Sequence, residues 1–98
     1  MAAYVISEIC AILDPALMEQ YRTLAQSTIK QYNGRYVVRA GAIEKVEGES
    51  VPQAIVIAEF PTMARAREWY RSPEYAEALA IRPKALTRRL LFVEGVEM

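Results

Sequence analysis

The apolar residues of this chain change their spacing in a fixed order, and that order restricts the fold more than any other feature. Residues 3–10, AYVISEIC, form a β-branched and aromatic run that predicts a strand. Asp14-Pro15 then signals a helix start. The Asp side chain can accept from the first free N–H groups, and Pro at the first helical position lacks a donor that would go unused. Leu17, Met18, Tyr21, Leu24, Ala25, Ile29 and Tyr32 follow at three- and four-residue steps, so one helix face is buried. Asn33-Gly34 closes the helix, since both residues tolerate the left-handed conformation of a C-terminal cap. Residues 35–46, RYVVRAGAIEKV, read as a long strand in which Gly41 marks a bulge or a close backbone approach. After the turn EGESVP, the nearly continuous apolar run AIVIAEF (54–60) predicts a strand covered on at least one face. Pro61-Thr62 opens a second helix with Ala66, Trp69 and Tyr70 on one side. Ser72-Pro73 starts a short one carrying Tyr75, Ala76 and Leu79, which the Arg82-Pro83 step is expected to break. RLLFVEGV (89–96) supplies the last strand.

The resulting order is β-α-β-β-α-β with a split second helix. Two βαβ halves with right-handed crossovers, joined by a hairpin, give a ferredoxin-like plait of the α+β class. Its antiparallel sheet carries both long helices on one face. Residues 1–98 read as one such domain, with no linker or low-complexity segment. The opposite sheet face, rich in valine and isoleucine, is left open. A chain of 98 residues has a small core, and a second copy laid on that face would bury it, so a homodimer is expected.

Composition narrows the chemistry. There is no histidine and one cysteine, Cys10, which leaves no His-based dyad, no internal disulfide and no Cys/His metal site. Cys10 reads as a small buried hydrophobe at a strand end. Twelve basic residues balance twelve acidic ones, which argues against a nucleic-acid partner. The local cluster Arg82, Lys84, Arg88 and Arg89 reads as a solvated face. Glu44, Glu47 and Glu49 read as a solvated acidic hairpin with too few ligands for a cation. The N-terminus lacks a basic leader region and carries Glu8, and no apolar stretch approaches the roughly 20 residues of a membrane span. The expectation is a cytoplasmic protein with no membrane or nucleic-acid partner, no metal and no cofactor.

The strings YNGRYVVRAGAIEKVEG, IVIAEFPT and AREWYRSPEY, with Arg82 and the terminal VEGV, resemble the domain-of-unknown-function family thirteen-thirty, of the dimeric α/β-barrel superfamily. The resemblance covers nearly the whole chain. It implies a dimeric, ferredoxin-like fold and no assigned activity. Three positions depart from the family pattern: Asn33 stands for the first Gly of a pair, Ala42 for the second Gly of an Arg-Gly-Gly strand, and Ala54 for an Arg near the start of the third strand. Ala42 would narrow any ligand space, and Ala54 implies a lost or changed ligand if that Arg binds an anion in relatives.

The candidate site is the constellation Arg39, Glu59, Trp69, Tyr70, Tyr75 and Arg82. A hairpin symmetric about Glu49 would set Arg39 opposite Glu59, either as a plain cross-strand ion pair or with Glu59 orienting the guanidinium toward a ligand carboxylate. Arg82 would add a cation at the cleft mouth. Trp69 and Tyr70 would wall the cleft, if they do not simply fill the core. Tyr75 would be its polar handle, with Tyr21 able to face it. Small-molecule binding by a homodimer is the first reading. The alternative is a cofactor-independent enzyme, an oxygenase or isomerase acting on a small organic, carboxylate-bearing substrate, with Glu59 or Tyr75 managing a proton. A third is a structural or interaction protein.

Overall fold

The computed structural model describes residues 1–96, and its elements run β1 (Ala3–Ile12), α1 (Pro15–Gln31), β2 (Arg35–Arg39), β3 (Ala54–Phe60), α2 (Met63–Tyr70), α3 (Pro73–Ala85) and β4 (Leu86–Glu94). Each helix starts where a side chain satisfies its free N–H groups. The Asp14 carboxylate accepts from Ala16 and Leu17 at 3.0 and 3.2 Å. Thr62 accepts from the Arg65 N–H at 3.0 Å, and Ser72 from Tyr75 at 3.1 Å. Such caps are worth about 1 kcal/mol each. At the end of α1, the Gly34 N–H donates to the Ile29 carbonyl and the Asn33 N–H to that of Lys30, the paired bonds of a Schellman motif. Asn33 alone takes the left-handed conformation (φ 67°). Gly34 is needed for a different reason: a Cβ there would lie 2.7 Å from the Phe60 ring and 2.8 Å from Ile29.

The sheet order is β2-β3-β1-β4, antiparallel throughout, which is the ferredoxin-like arrangement. Alternation along β1 sends Val5, Ser7 and Ile9 toward the helices and Tyr4, Ile6 and Glu8 to the other face. Phe60, Tyr75 and Leu86 are the largest wholly buried side chains, and Trp69 and Ile29 join them in the core between sheet and helices. Burying each large apolar side chain contributes roughly 1.5–3 kcal/mol. Among the described residues, no helix is long and apolar enough to cross a membrane.

Several boundaries differ from expectation. β2 ends at Arg39 instead of residue 46, because Ala40, whose N–H makes a last bond to the Ile55 carbonyl, turns the backbone into the left-handed region (φ 55°) and residues 41–51 run exposed outside the sheet. The bulge falls between Tyr36 and Val38, not at Gly41. Arg82-Pro83 does not break α3, which continues to Ala85. Pro83 sits in the last turn, so its missing N–H forgoes one helical bond with only two residues to follow, and the Ala85 carbonyl is tied down by the Leu13 N–H at 2.8 Å. β4 therefore begins at Leu86, three residues earlier than expected. Cys10 is exposed, at the irregularity where β1 shifts register against β4.

Candidate functional site

The helix-facing side of the sheet and α1 enclose a cavity of about 440 Å³. Its existence follows from side-chain size. Ser7 and Ala58 are small residues on the two central strands, and Ala25 is small on the helix above them. The strands supply Val5, Ile9, Val56, Leu86 and Leu90 as apolar lining, and Trp69 closes one end. The Trp69 indole is fixed by donating to Thr28 Oγ1 at 3.0 Å and by ring contacts to Tyr75 and Phe60, with centroids 4.2 and 5.4 Å away.

One cation reaches this apolar space from the sheet. Arg88 occupies the position on β4 opposite Ile9, between Leu86 and Leu90 on the inward side. Its Nη1 donates to the Tyr21 hydroxyl at 2.6 Å and its Nη2 to the Tyr75 hydroxyl at 3.0 Å. The two hydroxyls share a hydrogen bond of 2.5 Å. The guanidinium also lies 5.3 Å from the Tyr21 ring centroid, within cation–π range. Among the described residues no carboxylate pairs with Arg88; the ion pairs are Arg22–Glu19, Arg35–Glu59, Arg65–Glu68 and Arg89–Glu8. Burial works against the Arg88 charge, but the two tyrosine oxygens outweigh it and its pKa is raised. Burial, first of all, and the adjacent Tyr21 push the Tyr75 phenol well above its ordinary 10.0, against the pull of Arg88. Tyr75 thus keeps its proton.

The expected site residues separate. Arg39 and Trp69 line the cavity. Tyr75 lies behind its wall, fully buried, and Tyr21 does face it. Glu59 is on the opposite face of the sheet: the register sets it against Arg35, not Arg39. Its carboxylate accepts from Arg35 Nε at 2.8 Å and from the Tyr4 hydroxyl at 3.0 Å, and these bonds lower its pKa. Arg39 pairs in register with Val56, hydrogen-bonds Gln26, and lies over the Tyr36 ring at 4.8 Å. Tyr70 packs edge-on to Phe92 outside the cavity, and Arg82 donates to the Leu86 carbonyl at 3.4 Å, away from it. Ala42 lies on the exposed segment and is not part of the lining. Arg88, read from sequence as one of a solvated basic cluster, turns inward instead because it shares the inward side of β4 with Leu86 and Leu90; Arg89, its neighbour, points out and pairs with Glu8.

The family model described as "Domain of unknown function (DUF1330)" matches residues 2–96. The chain belongs to this family. No curated protein matches it. Among solved structures, a protein of unknown function from Rhodopseudomonas palustris is similar with a TM-score of 0.77 at 20% identity, over 99% of this chain and 84% of that one. A dimeric protein of unknown function with a ferredoxin-like fold from Bacteroides fragilis gives 0.64 at 14% identity, over 96% of each chain. A cofactor-independent oxygenase, SnoaB from Streptomyces nogalater, gives 0.62 at 11% identity, over 99% of this chain and 94% of that one. At these identities the likeness establishes the fold.

Proposed function

We propose that this DUF1330 member is a homodimeric small-molecule-binding protein whose organic ligand fills the cavity between α1 and the sheet. The observation that carries the reading is Arg88: a half-buried guanidinium in an apolar wall, with no carboxylate partner among the described residues. Its protein acceptors are two neutral hydroxyls, and its open side faces the cavity, where a ligand anion pairs with it more strongly than water does. The cavity has the size and mixed lining of a small-ligand site. Arg39, at the end of β2, adds a second cation free of any carboxylate partner among the described residues.

The open sheet face supports the dimer. Register aligns Val38, Ile57, Ile6 and Leu91 in one apolar row across all four strands. The Arg35–Glu59 pair flanks that row on one side and Glu8–Arg89 on the other. Val38, Leu91 and Val93 are 37–44% exposed, and a second copy laid on this face covers them. The similar structure from Bacteroides fragilis is described as dimeric, which supports a dimer here.

Calorimetric titration with 4-nitrobenzoate tests the binding. The protein should bind it, and Arg88→Met should lose at least about tenfold in affinity while sedimenting as the same dimer. Equal binding by both proteins would remove Arg88 from the site. A cofactor-independent enzyme remains the second reading, favoured by the likeness to the Streptomyces nogalater oxygenase. Glu59 does not serve as its base, being on the wrong face with a lowered pKa, and Tyr75 holds its proton too firmly.

A further inference from the structure

The proton count at Arg88, Tyr21 and Tyr75 has a consequence for what the cavity can hold. Both hydroxyl oxygens accept from the guanidinium, and only one hydrogen bond joins them, so it consumes one of their two protons. The other proton must go elsewhere. Tyr75 is fully buried: Trp69 and Tyr70 rings lie against it, and its hydroxyl has no further partner among the described residues. A buried donor left unpaired is disfavoured, so Tyr75 donates to Tyr21. The Tyr21 oxygen then accepts twice, which leaves its own proton free for an acceptor in the cavity that Tyr21 lines. Two donors behind one hydroxyl polarise it, making it a stronger donor than a lone phenol.

Resting on the binding reading above, we infer that the cavity takes its ligand as an oxyanion (a deprotonated phenol, enol or carboxylic acid) whose oxygen accepts from Tyr21 in front of Arg88. The surrounding charges agree. Of the charged groups lining the cavity, Glu19 on α1 is spent on Arg22 at 2.7 Å, which leaves Arg39 and Arg88 as its uncompensated charges. The apolar lining fits an organic monoanion better than inorganic phosphate.

The test uses 4-nitrophenol, whose phenolate absorbs visible light and whose phenol does not, with its methyl ether 4-nitroanisole and with 4-nitrobenzoate. The pH titration of bound 4-nitrophenol should shift down by about one unit, a tenfold preference for the phenolate. Tyr21→Phe should move the midpoint back toward that of free 4-nitrophenol, weaken 4-nitrobenzoate, and weaken 4-nitroanisole less than either anion. The ether should bind at least about tenfold more weakly than the phenolate. An unshifted or raised midpoint, or equal affinity for ether and phenolate, overturns the oxyanion inference while the cavity stands as a binding site. If none of the three probes binds, the binding reading falls and this inference with it.

Discussion

Replacing Tyr75 by Phe isolates the hydrogen-bonded centre from the packing around it. The ring stays, still 4.2 Å from Trp69, while two hydrogen bonds go: the 2.5 Å bond to Tyr21 and the 3.0 Å bond from Arg88. A neutral bond is worth roughly 0.5–1.5 kcal/mol and one to a charged group about 1.5–3. Arg88 keeps its 2.6 Å bond to Tyr21, and its open side faces the cavity, where water can solvate it. The net loss should therefore fall in the lower half of the summed range, about 2 kcal/mol, which lowers Tm by about 10 °C for a domain of this size. Urea unfolding at fixed protein concentration measures it, with the sole tryptophan, Trp69, buried at 2% exposure, as the fluorescent reporter. A double-mutant cycle with Tyr21→Phe should show coupling of about 1 kcal/mol. A loss below about 0.5 kcal/mol, or no coupling, would mean that the three groups do not form one buried network.

Alkaline unfolding tests the same tyrosine from the other side. Its folded pKa lies above the unfolded value of 10.0, so unfolding releases a proton between the two. Stability is full below pH 10 and should decline above it by about 1.4 kcal/mol per unit for this group. Urea curves at increasing pH should show that slope, reduced in Tyr75→Phe. Gly34→Ala should cost about 1–3 kcal/mol in the same assay, because the new methyl meets the wholly buried Phe60 ring at 2.7 Å. Ser7→Val should place two methyl groups on the cavity floor, raising stability by about 1 kcal/mol while weakening 4-nitrobenzoate in calorimetry. Leu91→Glu, at the end of the apolar row on the open face, should sediment as a monomer.

What the sequence made legible was the architecture, because caps and periodicity act locally. Asp14, Thr62 and Ser72 each bond the N–H groups their positions imply. The strand order followed from alternating elements and handedness. The candidate site was less legible, and the reason is parity. Starting the last strand at Arg89 hid that Leu86, Arg88 and Leu90 share one side, so an inward arginine looked like part of a basic surface. Recognising that Pro83 can sit in a final helical turn would have moved that boundary and exposed Arg88. The hairpin around Glu49 misled in the same way. With the bulge between Tyr36 and Val38, Glu59 meets Arg35, and Arg39 falls on the cavity side with Val56. Trp69 was legible as a core aromatic or a cleft wall, but the small residues Ser7 and Ala58 that leave the cavity its room carry no local mark.

Native mass spectrometry decides whether Arg88 anchors a ligand in a dimer, run on freshly purified protein and again after incubation with 4-nitrobenzoate, for the native chain and for Arg88→Met. The expected species is a dimer that carries one organic acid per subunit, and the same dimer without it in the variant. A monomer would contradict the covered sheet face. A dimer that stays bare under both conditions, or a variant that retains the ligand, would contradict Arg88 as the anchor of a binding cavity.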